Sequence, residues 1–313
     1  MRKRLLAGLA VAVLAAAPAA TFAAEIVAWG DDTNGTVSGV PTGDDFVAIA
    51  AGGLHALALR SDGSLVGWGS NTQGQTTPPA GNDFSAIAAG MGTSYSIVIN
   101  SNGSLGAMGS NSFDQLDVPS GNDFVAIAAG SSHGVALRSD GSLAAWGNSD
   151  LNRLDIPAGN DFVAIAAGGV SSVALKSDGS LVAWGMAGDS VIDDLPAGND
   201  FVDIAFGGSH ALALKSDGSL VGWGFNNSGQ ANAPAGNDFI AIDGGWTHSL
   251  ALKSDGSIVA WGSDDGVLNA PAGTGYTDIS AGVNYSLALI PEPSTAAICL
   301  AGLVVLRRRR RVA

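Results

Sequence analysis

The sequence predicts an all-β protein built from one short unit repeated seven times, on three observations. Trp-Gly recurs at Trp29, Trp68, Trp146, Trp184, Trp223 and Trp261, with Met108-Gly109 filling the one gap, at steps of 39, 40, 38, 38, 39 and 38 residues. An aromatic marker keeps the same phase at Phe46, Phe84, Phe124, Phe162, Phe201, Phe239 and Tyr276. Glycine returns every few positions, 45 times in all, which opposes helices and serves tight turns.

Within a unit, residues 56–59 and 65–68 alternate apolar positions with the two-residue period of strands. Ser61-Asp62-Gly63-Ser64 between them reads as a hairpin turn, glycine supplying the positive φ. Residues 47–51 form a third short apolar segment of small side chains, suited to a crowded inner strand. No helices are expected. Such a unit cannot bury its own apolar faces and must stack on its neighbours, as the blades of a propeller do. The last unit, residues 276–290, stops before Pro291 without its third strand, and residues 25–30 (Glu-Ile-Val-Ala-Trp-Gly) are that strand. The expected architecture is therefore a closed seven-bladed β-propeller with three strands per blade, the seventh completed by the N-terminal strand, which removes free sheet edges.

The two ends stand apart from the repeats. Residues 1–24 read as a signal peptide: three positive charges in residues 1–4, an apolar run, and small residues at Ala23 and Ala24. Residues 25–290 form the propeller, and residues 291–313 a tail of Pro291-Glu292-Pro293, an uncharged stretch over 294–306, and Arg307, Arg308, Arg309, Arg310 and Arg311. As a helix that stretch would reach about 20 Å, short of the ~30 Å hydrocarbon core, so only transient membrane association is expected, with the arginines held inside. The whole chain carries a net charge of −14, and outside the ends only six of the 14 basic residues remain against nearly all of the 28 acidic ones. So acidic a domain repels phosphate backbones, which argues against nucleic acid as a partner. The single cysteine, Cys299, lies in the tail, so packing rather than disulfides must hold the domain.

The motif A-A-G-x-x-H-x-L-A-L-x-x-D-G-x-L-x-x-W-G-x-N-x-x-G-Q, seen at residues 50–75 and again at 205–230, resembles the repeat of the regulator of chromosome condensation family. The short period is similar to that of bacterial seven-bladed proteins with three-stranded blades, such as β-lactamase-inhibitory protein II. The tail resembles the PEP-CTERM sorting signal of Gram-negative bacteria. That resemblance implies export, signal peptidase and exosortase as processing partners, and a final place in the cell envelope, at the cell surface or in the extracellular matrix.

His55, His133, His210 and His248 share one repeat position with Tyr95, Ser171 and Tyr285. Blades spread such equivalents around an axis, so these are expected to be structural histidines bonded to neighbouring backbone, with no metal. Asp45, Asp83, Asp123, Asp161, Asp200 and Asp238 recur in the loop before the aromatic marker, with Gly275 in the last blade. They fit either a negative ring for calcium or a basic partner, or carboxylates that bond their own turns. Asp62, Asp140, Asp178, Asp217 and Asp255, with Asn102, are hairpin-turn residues.

Departures from the repeat mark where specificity would sit. Trp246 stands where other blades have small residues, Phe206 replaces an alanine, Phe113 and Phe225 fall in loops, and Met91 and Met186 are off-pattern. Trp246, Phe225, Phe206 and Phe113 are the candidate partner-binding residues, aromatic anchors being enriched at hot spots. Glutamate occurs only at Glu25 and Glu292, and no nucleophile–base set breaks the repeat at one place, so no catalytic residue and no cofactor is expected. The functional expectation is a non-enzymatic binding or surface module acting through propeller loops on a protein or polysaccharide. The alternatives are an inhibitor of a secreted hydrolase and a glycan-acting enzyme.

Overall fold

The computed structural model describes residues 24–291. Each unit forms three antiparallel strands. The first contains β2 (Phe46–Ala51), β3 (His55–Arg60) and β4 (Leu65–Gly69), and the same triplet follows as β5 (Phe84–Ala89), β6 (Tyr95–Asn100) and β7 (Leu105–Gly109). The third to sixth units are β8 (Phe124–Ala129) to β10 (Leu143–Gly147), β11 (Phe162–Ala167) to β13 (Leu181–Gly185), β14 (Phe201–Phe206) to β16 (Leu220–Gly224), and β17 (Phe239–Gly244) to β19 (Ile258–Gly262). The last unit joins β20 (Asp278–Ala281) and β21 (Tyr285–Pro291) to β1 (Ala24–Gly30).

The register of that joint is continuous from Ala24↔Pro291 to Gly30↔Tyr285, so the N-terminal strand does complete the last sheet. Both strands extend one residue beyond the 25–290 boundary read from sequence. The rest of the two segments read from sequence as a signal peptide and a sorting tail, residues 1–23 and 292–313, lies outside the described residues. The strands fall into six sheets, none closed on itself: five of three strands, and one of six in which the first and last units touch through the single pair Ala24↔Phe46.

The apolar core lies between units. Ala50, Leu57 and Leu59 pack with Phe84, Ile87 and Val98 of the next unit, and the same arrangement recurs at every junction, including Phe46, Ala58 and Trp68 against Tyr285, Leu287 and Leu289. Burying such side chains stabilises by about 1.5–3 kcal/mol each, so neighbouring units support one another. Every outer-strand tryptophan also donates its indole N–H to a carbonyl in the preceding loop, as Trp68 does to Thr36 (2.9 Å) and Trp29 to Val267 (2.8 Å). Met108 cannot, and Ser96 Oγ donates to the equivalent carbonyl of Gln75 instead (3.1 Å).

The inner strands β2, β5, β8, β11, β14, β17 and β20 neighbour one another in that order, and β20 returns to β2. All seven contribute to the wall of an axial cavity of about 140 Å³. The expectation of no helix needs correcting. Residues Ser190–Asp193 form one helical turn (α1), and Asp150–Asn152 form a 3-10 turn. Both lie in loops that depart from N-x-x-G-Q, and Asp189 caps α1 by accepting the Val191 N–H (3.1 Å).

Candidate functional site

The two ends of the strands make two different faces. Each middle strand starts at a glycine-containing turn, Gly52-Gly53-Leu54 before His55 in the first unit, and the loop after the outer strand bonds to that turn, as Ser70 N–H does to Leu54 O, Phe225 N–H to Ser209 O and Ser263 N–H to Thr247 O. These elements form the upper face. The lower face carries the Ser-Asp-Gly-Ser hairpins, tied to the incoming loops by bonds such as Ser61 N–H to Asp45 O. Because β21 runs from Tyr285 downward, both Ala24 and Pro291 lie at the lower face.

The histidine position is a seam between units. His55, His133, His210 and His248 are buried, and each places Nε2 2.7–2.9 Å from a serine hydroxyl of the next unit: Ser96, Ser172, Ser249 and Ser286. The partner common to all four is thus a side chain of the neighbouring unit, and His55 has in addition a backbone hydrogen bond, with Tyr95, of the kind expected from sequence. Where tyrosine replaces histidine, the next unit has Gly134 or Ala56 in place of serine. Tyr95 then reaches past it to the carbonyls of Gly130 and His133, and Tyr285 to the carbonyl of His55. Burial pushes the imidazoles down to about 4 in His55 and His248 and about 3 in His133 and His210, so they are neutral. A histidine beside a serine is half of a nucleophile–base pair, yet all four serines are fully buried, beyond reach of a substrate.

The upper face opens over the axis in a cavity of about 270 Å³ lined by Leu54, Met91, Trp246 and Val283. The Trp246 N–H is pinned to Gly282 O (3.2 Å), and its ring crosses Gly208, where a Cβ would lie 3.0 Å from it. Trp246, Leu54, Phe113, Phe225 and Leu151 are 39–47% exposed. Three of the four aromatic candidates therefore share this face. Phe206 does not: it ends β14 at 4% exposure, packed in the core against Gly168 and lining the axial cavity, because an inner strand cannot turn its last side chain to solvent. Met91 lines both cavities and separates the mouth from the axis, while Met186 sits half-buried in a loop.

The axial cavity has an acidic side that the sequence reading missed. Asp243 stands where five other units have alanine and the last has Ser280, Asp278 where five have alanine and one has Asp203, and Asp243 and Asp278 line the cavity with Ser280. Asp243 Oδ2 accepts the Ala281 N–H (2.8 Å), and Ser280 Oγ accepts the Ala51 N–H (3.0 Å), so these departures stitch the last unit to both neighbours. Burial raises the Asp243 carboxyl to about 6, and raises Asp278 to about 7 with the charge of Asp243 adding to it. The only signal for them was a carboxylate breaking an alanine column.

On the lower face, Asp45, Asp123, Asp161, Asp200 and Asp238 pair with Arg60, Arg138, Lys176, Lys215 and Lys253 at the end of the middle strand of their own unit. Each cation also lies over the marker phenylalanine, 4.3–5.5 Å from the ring centre. Five of the six aspartates of this ring are thus engaged by cations of their own unit, while the unit of Asp83 has Asn100 at the cation's position. The turn aspartates behave as read: Asp62 Oδ1 accepts both the Ser64 N–H (2.9 Å) and its hydroxyl (2.6 Å), and the pattern repeats at Asp140, Asp178, Asp217, Asp255 and Asn102. Among the described residues, no group of three or more metal-binding side chains converges, and no helix is long and apolar enough to cross a membrane.

Repeated three-stranded units, intervening cores and an aromatic face define an all-β repeat protein. The chain carries repeats of the regulator of chromosome condensation (RCC1) type: the RCC1 repeat profile matches residues 46–75, 124–152, 201–230 and 239–265. No curated protein matches it by sequence. Among solved structures it is similar to Prp20p of Saccharomyces cerevisiae, described with its binding to Gsp1p and histones, at 19% identity and a TM-score of 0.72 over 91% of this chain and 95% of that one. It is similar to human WBSCR16 at 15% identity and 0.72, over 87% and 100%. The ectodomain of the Physcomitrella patens receptor kinase CR4 matches at 22% and 0.64, over 76% and 69%. These likenesses show an RCC1-like propeller fold.

Proposed function

We propose that the chain is an exported, closed seven-bladed propeller that works as a binding module, holding a macromolecular partner on its upper face. Seven inner strands around one cavity, apolar cores at every junction and the pairing of β1 with β21 support the closed ring. The observation that carries the binding reading is the gathering of Trp246, Phe225, Phe113 and Leu54, all large and exposed, on the face opposite the chain ends. Apolar side chains left in water on one rigid face are the usual mark of an interaction surface. If the tail is sorted by an exosortase after export, the lower face meets the envelope and the aromatic face points away from it.

Binding fits better than catalysis. Asp243 and Asp278, whose carboxyls burial raises, lie in a cavity of about 140 Å³, well below the ~300–1,000 Å³ of ordinary ligand pockets. Solved relatives such as Prp20p are described as protein binders, which is in keeping with a protein partner. The test is affinity capture from the producing culture with the full chain and with its Trp246→Ala/Phe225→Ala variant. A partner retained only by the parent chain supports the reading, and equal capture by both sinks it.

A further inference from the structure

The cations of the domain are segregated. Outside the two ends there are six basic residues. Five of them, Arg60, Arg138, Lys176, Lys215 and Lys253, end middle strands at the lower face and are paired there. The sixth, Arg153, belongs to an upper loop but is only 8% exposed. The upper rim, by contrast, exposes Asp32, Asp114, Asp150, Asp264 and Asp265. Two acidic doublets flank the mouth itself. Asp264-Asp265 follows Ser263, whose N–H bonds the turn of Trp246 at Thr247 O, and the Asp31 N–H of Asp31-Asp32 bonds the turn of Val283 at Asn284 O.

We infer that the mouth is a docking site for a basic polypeptide. One apolar side chain of the partner enters between Leu54, Met91, Trp246 and Val283, and neighbouring lysines or arginines face the Asp31-Asp32 and Asp264-Asp265 doublets. This rests on the reading of the upper face as a binding surface and adds the chemistry of its partner. The cavity, about 270 Å³, suits one anchoring side chain rather than a whole small ligand. An apolar anchor ringed by charges of one sign selects a partner of the opposite sign, and among the described residues no exposed cation on this face weakens that field. Anionic polymers are repelled by the same carboxylates.

The full-length chain, panned against a displayed library of random dodecapeptides, should enrich peptides with net positive charge and an aromatic or aliphatic residue. Their affinity should fall about tenfold or more with Trp246→Ala, severalfold with Asp264→Asn/Asp265→Asn, and with added salt, while Asp62→Asn on the lower face leaves it unchanged. The substituted residues are exposed, and unchanged melting confirms that each variant is folded. Enrichment of neutral or acidic peptides, or affinity untouched by Asp264→Asn/Asp265→Asn, overturns the inference. Trp246-dependent binding of a neutral polysaccharide without any basic peptide also overturns it, yet leaves the binding face standing. Absence of any Trp246-dependent ligand removes both.

Discussion

Tyr285 donates its phenolic hydrogen bond to the carbonyl of His55, 230 positions away, and so ties the last unit to the first at the seam where other units use a histidine–serine pair. The same junction holds Trp68 with Leu287 in one apolar cluster.

Closure should therefore be measurable as stability. Tyr285→Phe removes one of the two donors to the buried carbonyl of His55, which keeps the Gly52 N–H, and is expected to cost about 0.5–1.5 kcal/mol. Trp29→Ala, which empties the β1 side of the last core, should cost about 3–5 kcal/mol. Thermal melts of both variants check this, and an unchanged midpoint for Trp29→Ala would refute the role of the N-terminal strand.

The seam obeys a pairing rule across units, histidine with serine and tyrosine with glycine or alanine. His55→Tyr alone should drive the phenol into Ser96, whereas His55→Tyr/Ser96→Ala should recover much of the loss. A double-mutant cycle is expected to show coupling of about 0.5–3 kcal/mol, and strict additivity would mean that the two residues are independent.

Acid should unfold the domain through its histidines. Their pKa values are lowered from 6.5 to about 3–4 by burial, so below pH 6.5 the unfolded chain takes up four protons that the folded chain refuses. Asp243 and Asp278 act in the opposite sense, since burial raises them from 3.8 to about 6 and 7 and the folded state holds their two protons. Between about pH 4 and 6 the unfolded state thus binds about two more protons, and stability should fall by roughly 3 kcal/mol per pH unit of acidification. Asp243→Asn/Asp278→Asn removes the opposing pair and should steepen the fall, which denaturant titrations at several pH values would reveal.

Phe206 and Phe225 should separate stability from binding. Phe206→Ala empties a core position and is expected to cost about 3–5 kcal/mol, whereas Phe225→Ala, 44% exposed, should change stability by less than about 0.5 kcal/mol and weaken partner binding. Melting and capture measured on both variants decide it.

Much of the architecture was legible because a repeat states its period seven times. The tryptophan and phenylalanine markers located the strands, Gly63 and its equivalents located the hairpins, and residues 25–30 read as the missing strand do pair with β21. The site was harder to read. Trp246, Phe225 and Phe113 stood out as departures from the repeat, but Phe206 did so equally, and nothing in its neighbours says that the end of an inner strand faces the core and the axis. Asp243 and Asp278 were passed over because a carboxylate in an alanine column looks like any other acidic residue of an acidic chain.

The sequence by itself determined the unit, its three strands and turns, and the number of copies, because local periodicity and turn chemistry act over a few residues. Only the tertiary structure decided which side chains meet across units. Histidines are matched to serines about 40 positions away, the lysines and arginines are drawn to one face, and Trp246 is set beside Leu54, Met91 and Val283 from three other units. Those contacts depend on how neighbouring units turn about the axis, a geometry that no single unit contains.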